Sequence, residues 1–146
     1  MTGPPAQTLT ALQAALAAEE AASYGYGVVG AQLAGAQQQT ARADWVAHQV
    51  ARDQLTAMIS AVGGQPGPSA VAYRLPMPVH SAAAARALAV IIEDRVTQAY
   101  LGLVAVNDRA LRDFGARQAR AAALRCVVWR GSTVAFPGLP ASSLRH

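Results

Sequence analysis

The stretch GGQPGPSAVAYRLPMPV, residues 63 to 79, limits the possible folds of this chain more than any other. Proline has no backbone N–H to give and glycine is a poor helix former, so the stretch is a connection. On either side, apolar residues recur at helical spacing. A first helix is predicted from about Thr8 or Leu9 to Ala34, with the stripe Leu12, Leu16, Ser23, Tyr26 and Leu33, and with Gly35 just past its end. A second is predicted from near Thr40 to just before Gly63, with Trp45, His48, Arg52, Leu55 and Ile59 on one face. A third spans about Ser81 to Asn107, and a fourth runs from an Asp108 N-cap to Arg130, before Gly131. Two short turns and one long middle connection specify two antiparallel helix pairs joined by a crossover. About 17 extended residues reach some 50 Å, enough to run the length of a bundle of ~25-residue helices. The prediction is an all-α four-helix bundle in a single domain over residues 1–146, with an irregular tail over 131–146.

Composition agrees and removes several function classes. Hydrophobic residues make up 53 % of the chain and charged residues 14 %, which is incompatible with disorder. All 12 basic residues are Arg, and the net charge of +4 is spread without a basic block or aromatic interleaving, so no nucleic-acid partner is expected. Cys126 is the single cysteine, which excludes an internal disulfide and a thiolate zinc cluster. The start, MTGPPAQTLT, carries no leader pattern, and no apolar run approaches the roughly 20 residues of a membrane span. A cytoplasmic location without a membrane partner is the expectation. No internal repeat is evident. No Ser-His-Asp spacing, phosphate loop or dinucleotide fingerprint appears, and an enzymatic role is not expected.

Stepping at about 100° per residue puts polar groups on the buried faces. In "ALAVIIEDRVTQAYLGLVAVND", residues 87 to 108, Glu93 falls among Ala89, Ile92, Val96, Tyr100 and Leu103. Glu19 falls within the first stripe, while Glu20 points aside. His48 and Arg52 share the inner face of the second helix, and Gln118 and Arg125 face inward on the fourth. Arg109, Arg112, Arg117, Arg120 and Arg130 lie on an outer arc. A first turn centred near Gly35 or Ala36 puts Glu19 level with Arg52. A second turn centred near Asn107 and Asp108 puts Glu93 between Gln118 and Arg125. Glu19, His48, Arg52, Glu93, Gln118 and Arg125 are thus predicted to meet at mid-bundle as a buried polar network, with Tyr26 and Tyr100 available for its remaining hydrogen bonds. Such a network commonly fixes helix register rather than performing chemistry.

The segments LAAEEAASYGYG, AHQVARDQL, AYRLPMPV, IIEDR and the closing WRG and FPGLP resemble a ferritin-like domain. They are similar in particular to a family of uncharacterised ferritin-like proteins common in actinobacteria. The resemblance implies a ferritin-like bundle and, by descent, a di-iron site built from one Glu on each of two helices and Glu-x-x-His on the other two. Glu19 and Glu93 match the single glutamates. The second helix offers Trp45-x-x-His48 and the fourth Gln118-x-x-Ala121, so most of the ligands are missing. Two arginines are expected to take the electrostatic part of two metal ions. The expected function is therefore a non-catalytic protein with a degenerate site and no cofactor. The alternative is a metal-binding or oxidase-like protein holding one iron or manganese ion between Glu19, His48 and Glu93. A third class, a binder of small molecules or acidic partners, would use the polar interior or the outer arc. Self-association, as a dimer, is the expected partnership, with an acidic partner on Arg109, Arg112, Arg117 and Arg120 as a further possibility.

Overall fold

Four α-helices form among the described residues, 5–131 and 137–139, of this computed structural model. They are α1 (Ala6–Ala31), α2 (Gly35–Ala61), α3 (Ala82–Val104) and α4 (Arg109–Arg130). No strand occurs among the described residues. Short polar side chains set two of the starts. Ser81 Oγ accepts from the Ala84 N–H at 3.1 Å, and Asp108 Oδ1 accepts from the Leu111 N–H at 3.0 Å. Each satisfies a donor that the first helical turn leaves unpaired. Arg112, from the predicted outer arc, turns back to donate to the carbonyls of Val106 and Asn107, which ties the exit of α3 to the entry of α4. The tail predicted over 131–146 lies largely outside the described residues.

The first turn differs from its prediction. α1 stops at Ala31 rather than Ala34, and α2 begins at Gly35 rather than Thr40. Gln, Ala and Thr at 36–40 are acceptable helix formers and simply continue the helix backwards. Leu33 turns into the core, Ala34 is extended, and Gly35 takes φ +58°, a left-handed conformation that glycine adopts freely. The connection is therefore residues 32–34, and its centre lies about two residues earlier than predicted. α3 also ends three residues early, at Val104.

α1 and α3 lie side by side and antiparallel, with α2 packed on α1 and α4 on α3. Gly25 permits the close approach of the central pair, since a Cβ there would stand 2.5 Å from Ile92 Cδ1. The apolar core runs along this seam through Leu12, Leu16, Val29, Leu88, Ala89, Val96 and Leu103, all nearly inaccessible. Leu55 and Ile59 of α2 and Phe114 and Trp129 of α4 close it from the flanks. Residues 62–81 form the crossover. No helix among the described residues is long and apolar enough to cross a membrane.

Candidate functional site

One polar layer interrupts the core, and each of the four helices contributes to it. Glu19, His48 and Glu93 are fully buried, and Arg125 is 17 % exposed in its side chain. The imidazole of His48 lies between the two carboxylates. Its Nδ1 donates to Glu19 Oε2 at 2.5 Å and its Nε2 to Glu93 Oε1 at 2.9 Å. Donating from both nitrogens requires the imidazolium form. Burial alone would lower the pKa of His48, but hydrogen bonds to both glutamates and their charge override it and raise the pKa to about 9. The Tyr100 hydroxyl donates to Glu19 Oε1 at 2.6 Å, and the Tyr26 hydroxyl donates to Glu93 Oε1 at 2.6 Å. Arg125 Nε adds a third donor to Glu93 Oε1 at 2.9 Å. Burial would raise the pKa of Glu93, yet His48, Arg125 and Tyr26 together bring it below its ordinary value. Burial first, then the adjacent glutamate, pushes both tyrosines far above theirs.

Two of the predicted residues stay out of this layer. Arg52 lies at the surface, with its guanidinium on Asp53 of its own helix at 2.8 Å. The earlier turn explains the exchange. Moving its centre by two residues shifts α2 by four relative to α1, one helical turn, so His48 takes the level predicted for Arg52. Each oxygen of Glu19 is then engaged, one by His48 and the other by Tyr100. Gln118 is half-buried and makes no side-chain hydrogen bond among the described residues, because Arg125 rather than Gln118 stands level with Glu93. One arginine and one imidazolium, rather than two arginines, face the glutamates.

Two further members of the layer, Asp44 and Trp129, and a repeat pattern lie beyond the predicted residues. Asp44 Oδ2 accepts from Trp129 Nε1 at 2.9 Å and lies 3.3 Å from the Tyr26 hydroxyl, joining α2 to α4 beside Arg125. Burial, and then the charge of Glu93, raises its pKa, while Trp129 and Arg125 pull the other way. Its position four residues before His48, on the same helical face, was the available signal. The repeat pattern is an internal two-fold. Glu19, Ser23 and Tyr26 on α1 recur as Glu93, Thr97 and Tyr100 on α3, each 74 positions later. Ser23 and Thr97 both donate to the backbone carbonyl of the glutamate four residues before. The tyrosines cross over, each binding the glutamate of the other helix. His48 and Arg125, on the flanking helices, both donate to Glu93 Oε1, but the position 74 residues after His48 is Ala122, so Arg125 lies outside the repeat. The spacing Glu-x3-Ser/Thr-x2-Tyr could have revealed the repeat.

The metal set considered from the sequence, Glu19, His48 and Glu93, does not fit one ion in this arrangement. An imidazole offers a metal a single lone pair, in line with one ring nitrogen. Here the carboxylates occupy opposite edges of the ring, so the three groups do not converge. Arg125 would also stand against any cation on Glu93 Oε1. Among the described residues, no group of three or more His, Cys, Asp or Glu is arranged to hold a metal.

Fold and site together define a class of all-α four-helix proteins with one buried, charge-paired layer. The chain belongs to the family described as Domain of unknown function (DUF4439), which matches residues 11–141. It is similar to the crystal structure of a conserved hypothetical protein, rv2844, from Mycobacterium tuberculosis. The identity is 31 %, the match covers 88 % of this chain and 98 % of that one, and the TM-score is 0.85. Comparison with curated proteins gives no match.

Proposed function

We propose that the chain is a non-catalytic ferritin-like protein in which a buried ion-pair layer stands where a di-metal site would lie. The observation that carries this reading is how the layer uses its donors and acceptors. His48 spends both nitrogens on Glu19 and Glu93, and Arg125 brings a second cationic group to Glu93 from α4. Two cationic side chains then balance two carboxylates without a metal. Glu19, His48 and Glu93 are also 0 % exposed, so no reactant reaches them without local opening. The test is elemental analysis of protein purified without chelator, followed by titration with Fe(II) and Mn(II). No stoichiometric metal and no ferroxidase activity are expected. Two tightly bound irons, lost on Glu19→Ala or Glu93→Ala, would overturn the proposal.

The alternative, one iron or manganese ion, would require the layer to rearrange around Glu93 Oε2, a buried oxygen without a partner among the described residues. A single equivalent of iron or manganese, lost on His48→Ala, would support that reading.

Self-association belongs to the same proposal. The outer face of α2 presents Ala43, Val46, Ala47 and Val50, an exposed run without a charge. A second copy of the chain is its proposed occupant, since an uncharged stripe of small and branched residues is complementary to itself across a two-fold axis. An acidic partner remains a second proposal for the outer arc. Arg109, Arg117 and Arg120 are exposed there, whereas Arg112 is engaged by the α3 terminus.

A further inference from the structure

The AYRLPMPV segment of the crossover is not absorbed by the buried layer, and it lies elsewhere. Residues 73–76 lie over the α1–α3 seam and roof a partly open cavity of about 160 Å³. Its floor is aliphatic, with Ile91 from α3 facing Leu75 from the crossover. Tyr24 and Tyr73 form one wall, their rings 5.7 Å apart and tilted by 50°. At the rim stand two exposed guanidinium groups, Arg74 from the crossover and Arg95 from α3. Neither makes an ion pair among the described residues, and no acidic side chain lines the cavity.

We infer that this cavity is a binding site for a small carboxylate with an apolar, ring-sized body. Size, lining and charge each contribute. An apolar cavity of about 150 Å³ holds one benzene ring, so the space suits a body of that size and excludes a nucleotide or a sugar chain. An aromatic wall and an aliphatic floor select for a planar apolar body. Two unpaired guanidinium groups at the rim select for an anion, and the planar fork of each matches a carboxylate in two parallel hydrogen bonds. Between the two guanidinium groups a cationic head would meet like charge, whereas a carboxylate meets opposite charge.

The test uses sodium benzoate, benzyl alcohol, benzylamine and phenyl phosphate as probes of the full chain, followed by NMR and calorimetry. Benzoate is expected to shift the resonances of Tyr24, Tyr73 and Ile91 and to bind at least about tenfold more tightly than benzyl alcohol. Benzylamine is expected to bind no better than the alcohol. The double variant Arg74→Gln/Arg95→Gln is expected to bring benzoate down to the alcohol's affinity. Both residues are exposed, so the variant's thermal midpoint should match that of the parent, and its circular dichroism checks the fold. Shifts confined to another surface, equal binding of benzoate and benzylamine, or unchanged affinity in the double variant would overturn the site. Tighter binding of phenyl phosphate than of benzoate would overturn the carboxylate assignment.

Discussion

Glu93 carries an unequal load: three donors converge on Oε1 while Oε2 has none among the described residues. The inequality follows from geometry, since His48, Arg125 and Tyr26 come from three different helices and reach the carboxylate from one side. Removing its charge leaves an imidazolium and a guanidinium short of a counter-ion. Breaking a buried pair in this way typically costs 3–5 kcal/mol. Glu93→Gln is therefore expected to lose roughly 3 kcal/mol or more of unfolding free energy, and Glu20→Gln less than about 1, as for ordinary surface changes. Glu20 is half-buried and accepts a hydrogen bond among the described residues from the Tyr73 hydroxyl alone, at 3.4 Å. Equal urea midpoints for the two variants would refute the ion-pair layer. His48 leaves a signature in pH. Unfolded, its imidazole titrates at 6.5; folded, at about 9. A raised folded pKa gives stability that is complete below pH 6.5 and disappears as pH climbs through 9, on the order of 3 kcal/mol in all. Glu93, with its lowered pKa, adds stability that is present above 4.5 and lost in acid, and Asp44 partly opposes it there because its own pKa is raised. Thermal midpoints measured from pH 6 to pH 10 should fall in the parent and stay nearly level in His48→Gln. A fall of the same size in both proteins would assign the alkaline loss to other groups.

Helix number, helix type and the crossover could be read from the sequence because Gly and Pro punctuation is local and unambiguous at residues 63–79. The caps Ser81 and Asp108 were equally readable. Losing Asp108 removes the acceptor for the Leu111 N–H, so Asp108→Ala is expected to cost about 1 kcal/mol, measured by chemical denaturation. No loss would mean that the Arg112 contacts alone secure this junction. The first turn was misread because Gly35 fits two roles, a residue past the end of α1 or a left-handed residue opening α2, and periodicity does not choose between them. That error of about two residues exchanged His48 for Arg52 at the level of Glu19. Inward direction was readable for Glu19, His48, Glu93 and Arg125, since it depends only on angle along one helix. Level depends on where a turn closes, so Arg52 and Gln118 were assigned to a layer they do not reach. Asp44 was overlooked because its partner, Trp129, lies on a helix far away in sequence.

The two helix pairs are held together chiefly along the α1–α3 seam, with α2 and α4 meeting more loosely across Asp44 and Trp129. Both flanking helices also carry exposed apolar side chains. Counted from the Asp44–Trp129 contact along antiparallel helices, Val46 and Val50 of α2 stand level with Val128 and Leu124 of α4. They are 46 %, 52 %, 67 % and 57 % exposed, four of the most accessible large apolar residues among those described. On α2, Val46 and Val50 recur with Ala43 and Ala47 at helical spacing, an outward apolar run of the kind that marks an interaction surface. The run Ala43, Val46, Ala47 and Val50 carries no charge, so a second α2 can approach it antiparallel without meeting like charge. Val46→Glu/Val50→Glu would place two carboxylates of each copy against those of the other. The parent chain is expected to sediment as a dimer at micromolar concentration and the double variant as a monomer, with the helical content of both unchanged. A parent that sediments as a monomer up to its solubility limit would refute self-association. If the variant stayed dimeric, the contact would have to lie on another face.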